Sequence, residues 1–173
     1  MKNGQSNTKF KNWNVRPMKV EDNSLIAEII RTNLKKFHLD IPGTVYFDPG
    51  LDYLSQYYES LPDKRGYFIA TCEDGQVIGG VGVAEFDGFE NCAELQKLYL
   101  IDQAKGKGMG RYLLQVAEDF ARRAGYKSLY LETHTNLGTA IRLYERNGFV
   151  QIAKPEAVVH STMNRFYIKR LCL

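Results

Sequence analysis

The chain lacks most of the features that would mark it for a specialised setting. Its three cysteines, Cys72, Cys92 and Cys172, are an odd number with no CxxC or metal-like spacing. That argues against a disulfide framework or a metal site and makes small buried hydrophobes of all three. Such usage fits a reduced, cytoplasmic compartment. No segment approaches the ~20 apolar residues a membrane span needs. The opening MKNGQSNTKFKN is polar and has no apolar run of the signal-peptide kind. Residues 1–11 are expected to form a flexible tail, followed by one domain over residues 12–173. Charge of one sign is scarce as well. A net charge of +3, with no basic arm or run of like charges, makes no case for nucleic acid. A GxxxxGK[ST] run is absent, which sets a P-loop aside. There is no internal repeat.

What is present reads as a globular α/β domain with a real core: 44% hydrophobic and 25% charged residues. Trp13 to Met18 reads as a first strand. Asp22 or Ser24 can cap a helix to about Leu34, whose stripe is Leu25, Ile26, Ile29, Ile30 and Leu34. Phe37 to Gly50 is irregular and aromatic, and a second helix is expected from Leu51 to Ser60. Tyr67 to Glu73 and Val77 to Phe86 alternate as strands around Asp74-Gly75, a hairpin signal. Cys92 to Ile101 is a third strand of the run, but its alternation fails at Gln96-Lys97, where a bulge would repair it. An amphipathic helix ends at Gly125, a strand covers Ser128 to Glu132, and a short helix runs from Thr139 to Asn147. Phe149 to Ile152 and Arg165 to Leu171 close the chain as strands.

The most informative stretch is QAKGKGMGRYLLQVAEDFARRAG, Gln103 to Gly125. Gly106, Gly108 and Gly110 alternate directly before a helix. Backbone without Cβ atoms can lie against a ligand, and a helix start offers unpaired N–H groups and a positive dipole end. Together they form an anion site, most often for phosphate, and Lys105, Lys107 and Arg111 add positive charge. A Rossmann reading fails, because Leu113 stands where a third glycine would fall. The strand before the loop and the strand after its helix are joined by a crossover suited to a parallel pair, and the loop sits at the carboxyl edge where such sheets bind ligands.

ELQKLYLIDQAKGKGMGRYLL followed by THTNLGTAIRLYERNGF resembles the GNAT superfamily of N-acetyltransferases. The family's Arg/Gln-x-x-Gly-x-Gly/Ala motif fits best with Lys105 first, then Gly108 and Gly110. A second register, from Gln103 with Gly106 and Gly108, puts the helix start two residues late. Lys105 in place of Arg or Gln is a departure from the motif. The second signature matches from Asn136 through Ala140, Leu143 and Tyr144 to Gly148-Phe149. The resemblance implies a mixed, mostly antiparallel sheet of six or seven strands with about four helices and a splayed parallel strand pair. It implies acetyl-CoA as acyl donor, with the phosphates on Lys105, Gly106, Lys107, Gly108, Met109, Gly110 and Arg111. Backbone groups of Leu98 and Leu100 would pair with the pantetheine arm, and Asn136 would touch it. No metal, nucleic acid or membrane is implied, and the protein would act as a monomer or homodimer.

Transfer to an amine needs a base, because an alkyl ammonium has a pKa near ~10.4. Glu94, on the strand before the loop, is the candidate by family resemblance; Glu132 and His134 are rivals near the end of the next strand. Tyr144 is the candidate acid beside the coenzyme sulfur, against the alternative of a core aromatic. A thiol near ~8.5 is a stronger acid than a phenol near ~10, so protonating the thiolate costs about 2 kcal/mol and a hydrogen bond is the more natural role. No cysteine lies in either motif, which favours direct attack in a ternary complex. The acceptor site is expected from Lys35 to Asp52 and Lys154 to Asn164. The first segment is aromatic and carries Asp40, Asp48 and Asp52, which would suit a cationic amine; equally, its aromatics would simply pack the loop down. A CoA-binding module without catalysis, and a nucleic-acid or other phosphate binder reusing the turn, stand as alternatives.

Overall fold

A computed structural model describes residues 12–172; the expected N-terminal tail lies outside them. Seven strands form one sheet in the order β1-β2-β3-β4-β5-β7-β6. They are β1 (Trp13–Pro17), β2 (Gly66–Cys72), β3 (Val77–Glu85), β4 (Cys92–Leu100), β5 (Ser128–Thr133), β6 (Val150–Ile152) and β7 (Arg165–Arg170). Every neighbouring pair is antiparallel except β4 and β5. Four helices flank the sheet: α1 (Asn23–Lys36), α2 (Leu54–Glu59), α3 (Met109–Arg123) and α4 (Gly138–Arg146). This is the mixed, mostly antiparallel architecture expected.

Each face of the sheet has its own core. Ile26, Ile30 and Leu34 of α1 meet Leu54 and Tyr58 of α2 over Tyr67 and Ile69. On the other face, Leu113, Leu114, Ala117 and Ala121 of α3 pack on Val81, Val83, Ala93 and Leu95. Both sets follow the spacing that puts one helix stripe on a sheet.

Local chemistry moved some boundaries. The second helix begins three residues later than expected, after a 3-10 turn over Leu51–Tyr53. Asn23 of α1 sets the start: its Oδ1 accepts from the Ser55 N–H at 2.9 Å, and its side-chain amide donates to Ser55 Oγ. The helix is thus capped from a different helix. Asp22 stands at the N-cap of α1 but does not cap it with its side chain. Its buried carboxylate accepts a bidentate pair from Arg16 at 2.7 and 2.9 Å, and the Lys19 N–H. Cys72 and Cys92 are buried as expected, but Cys172 is exposed, because β7 and its core contacts end just before it.

Two features of β4 position the site. It pairs with β5 only at Cys92↔Ser128, Ala93↔Leu129 and Glu94↔Tyr130. Beyond Glu94 the two strands part and leave a V. Against β3, the register shifts between Gly80↔Tyr99 and Gly82↔Gln96. That is the expected bulge, and Lys97 inside it takes a left-handed φ of 51°.

Candidate active site

The V opens into a cleft of about 740 Å³, lined by β4, the glycine loop, α1, α4 and the end of β5. Glu94, Leu98, Leu100, Lys105, Gly106, Gly108, Gly110, Arg111 and Tyr144 all line it. The side chains of Lys107, Met109 and Asn136 do not. Met109 is buried in the core under α3, so only its backbone faces the loop. Asn136 donates from its side chain to the Phe37 carbonyl at 2.9 Å and ties the β5–α4 turn to the end of α1. Glu132, one rival for the base, lines the cleft; His134 does not, and its Nδ1 accepts the Asn136 N–H.

The glycine end is built from backbone. Gly106 and Gly108 hold φ values of 72° and 85°, a region that side chains with a Cβ rarely enter. A Cβ at either would meet nothing within 4 Å. The space beside the loop is therefore open, and conformation is what demands glycine. Gly108 is the N-cap of α3 and no side chain caps that helix, so its first N–H groups remain available. Its first turn holds no acid but does hold Arg111, a cation at the positive end of the dipole, which favours an anion there. Of the two motif registers, the one beginning at Lys105 matches this helix start. The Lys105 ammonium is held at 2.6 Å by Asn33 Oδ1 and at 2.8 Å by Asp102, over the Phe37 ring. Asn33 also donates to the Leu100 carbonyl at 2.9 Å, leaving that oxygen one further lone pair. The loop and its surroundings fit a pyrophosphate.

The opposite end is built from side chains. Glu94, half-buried at the last paired rung, accepts from Gln96 Nε2 at 2.7 Å. Gln96 Oε1 accepts in turn from Tyr58 Oη at 2.8 Å. Tyr58 reaches it across Gly82, where a Cβ would lie 2.3 Å from that hydroxyl. Burial pushes the Tyr58 phenol far up, so it stays a donor and fixes which way the amide points. Burial also pushes the Glu94 carboxyl up, with neighbouring Glu132 adding to the rise; Gln96, Lys97 and His160 oppose it. His160 from the β6–β7 loop stands between Glu132 Oε1 (2.7 Å) and Asp48 (3.2 Å). Lys97 lies 3.8 Å from Asp48, and burial pulls its ammonium pKa down. Asp52 is engaged bidentately by Arg31. The acids at 48 and 52 are therefore already paired, which leaves less charge for a cationic amine than their residue types suggested. Gln96, Lys97, Tyr58 and His160 are not singled out by the sequence; the failed alternation at Gln96-Lys97 points near the first two, and the expected acceptor segment Lys154 to Asn164 contains His160.

Tyr144 is 6% exposed and meets Phe149 edge-on at 5.8 Å. It is thus both a core aromatic and a cleft residue, and burial pushes its phenol well up. None of the three cysteines lines the cleft.

A family model for the acetyltransferase (GNAT) family matches residues 31–149. The chain belongs to the GNAT acetyltransferase family. The enzyme is an N-acetyltransferase of that family. It is 39% identical over 140 residues to the uncharacterized N-acetyltransferase YjgM of Escherichia coli K12, covering 80% of this chain and 82% of that one. A GNAT acetyltransferase structure from Staphylococcus aureus Mu50 superposes with a TM-score of 0.82 at 21% identity, covering 93% of this chain and 100% of the other. The structure of YncA from Salmonella typhimurium, with its cofactor acetyl-CoA, superposes at 0.72 and 25% identity, over 94% and 96%. The acetyltransferase shares its overall fold with these two solved structures. No helix among its described residues is long and apolar enough to cross a membrane.

Proposed function

We propose that the acetyltransferase moves an acetyl group from acetyl-CoA to a primary amine, on a small molecule or peptide, by direct attack in a ternary complex. One observation carries this reading: a single cleft joins the Gly106–Gly110 loop, Tyr144 and Glu94. The acetyl-CoA bound to YncA supports the choice of donor. The N–H groups at the start of α3, with Lys105 and Arg111, hold the phosphates, and Lys107 adds positive charge outside the cleft. The exposed edge of β4 at Leu98 and Leu100 takes the pantetheine arm, with Asn136 at its flank. Once bound, the donor supplies a thioester carbonyl open to a nucleophile.

Glu94 takes the proton from the acceptor ammonium. Its raised pKa brings it nearer the operating pH, which improves a general base. Gln96 and Tyr58 keep the carboxylate aimed. Tyr144 donates a hydrogen bond to the sulfur as charge develops there; its raised pKa makes full proton transfer less favourable still, so its contribution is electrostatic. With Asp48 and Asp52 already engaged, the acceptor end suits a molecule presenting one amine better than a polycation.

The test is release of free thiol across small monoamines, amino acids, polyamines, aminoglycosides and N-terminal peptides, with coenzyme binding measured separately. Turnover with monoamines or N-terminal peptides ahead of polyamines is expected. Coenzyme binding without thiol release from any amine would instead favour a non-catalytic CoA-binding module.

A further inference from the structure

We infer that His160 is a positioning residue for the acetyl transfer: bridging Asp48 and Glu132, it closes the acceptor end of the cleft and leaves Glu94 as the carboxylate there without an ion-pair partner among the described residues. Three segments distant in the chain meet at this ring. Asp48 follows the turn over Val45–Phe47, Glu132 lies near the end of β5, and His160 stands in the β6–β7 loop. Both ring nitrogens face carboxylates, Nδ1 at 2.7 Å from Glu132 and Nε2 at 3.2 Å from both oxygens of Asp48. A neutral imidazole has one N–H to donate, so only the imidazolium serves both partners. Burial works against that charge, but the hydrogen bonds to Asp48 and Glu132 outweigh it and push the pKa up to about 9.

The groups around the ring give the bridge its consequence. Asp48 faces it from the segment before α2. Glu132 faces it from β5, with Tyr130 Oη 3.5 Å from the other Glu132 oxygen. Glu94 faces it from β4, and Lys97 of the same strand stands on Asp48. The Glu132 side chain is only 6% exposed. Without the imidazolium it would be a buried negative charge with no cation beside it, next to Glu94, and a like charge raises the Glu94 pKa. His160 would thus act on the reaction through Glu94 without touching the acceptor.

This inference rests on Glu94 being the base, and the pH profile of kcat/KM tests both separately. His160→Gln keeps a donor but loses the charge. Its acidic limb should move up by about one pH unit, with about tenfold loss below the limb and little loss above it. Adding Glu132→Gln to that variant should return the limb toward its original place. Glu132→Gln alone should move the limb down, an arm that stands even if His160→Gln does not fold. A merely structural His160 would lower the rate equally at every pH, and the second substitution would restore nothing. That result, or a fixed limb in both single variants, overturns the role of His160. An acidic limb that survives Glu94→Gln overturns the assignment of Glu94 first.

Discussion

The two ends of the cleft are made of different material. At the glycine end, the backbone of one short segment, Lys105 to Arg111, forms the cradle, and its shape depends on two left-handed glycines and an uncapped helix. At the acceptor end, side chains from β4, β5, α2, the segment after α1 and the β6–β7 loop meet, with Asp48 and Glu132 paired to Lys97 and His160 and Glu94 beside them. In the proposed reaction the first end binds a part of the donor that does not change, and the second holds a proton acceptor at a chosen charge. Backbone suits the former because its dipoles are fixed whatever the pH; titrating side chains suit the latter because their neighbours can tune them.

The division can be broken by substitutions that confuse the two ends. Glu94→Gln should have the largest effect, lowering kcat/KM by about 10²- to 10⁴-fold while acetyl-CoA affinity, read by calorimetry, stays level. Tyr144→Phe keeps the ring and its contact with Phe149, so the protein should fold and bind the donor. Its turnover should fall about 10- to 1000-fold, the upper part lying in the range for lost oxyanion-type donors. Unchanged steady-state turnover with every acceptor would leave Tyr144 as a core aromatic alone.

Gly106→Asp sharpens the other side. Asp tolerates the left-handed conformation better than most residues, and its charge would face the phosphates. Acetyl-CoA should bind at least about tenfold more weakly than to Gly106→Asn, the neutral control of the same shape. The smallest effect concerns stability. The His160 pKa is raised from about 6.5 to about 9, so its contribution is complete below about 6.5 and is lost as pH rises through about 9. Thermal melting should therefore fall across that window in the wild type more than in His160→Gln.

The glycine end was legible in the sequence because its determinants are local. Alternating glycines before an amphipathic stripe specify backbone shape directly, and Gly125 and Gly148 mark helix ends where φ is 87° and 85°. The bulge was legible too, because alternation breaks where Lys97 turns left-handed. The acceptor end was legible only as two segments, Lys35 to Asp52 and Lys154 to Asn164, which contain Asp48 and His160 but say nothing of their contact. Asp48 and His160 are 112 positions apart, both in irregular segments with no periodicity to orient a side chain. The same reason hid the cap that Asn23 places on α2 and the diversion of Asp22 to Arg16: a polar side chain takes whichever partner the tertiary fold brings closest. Asp48 was visible as an acid, but its pairing with a cation was not.

The most direct test measures acetyl-CoA affinity and the pH dependence of thiol release together on Gly106→Asp and Glu94→Gln. The account predicts a crossed result. Gly106→Asp weakens donor binding and, at saturating acetyl-CoA, keeps the acidic limb in place, whereas Glu94→Gln keeps donor binding and loses that limb. Equal donor affinity in Gly106→Asp and its Asn control, or an intact limb in Glu94→Gln, would contradict it.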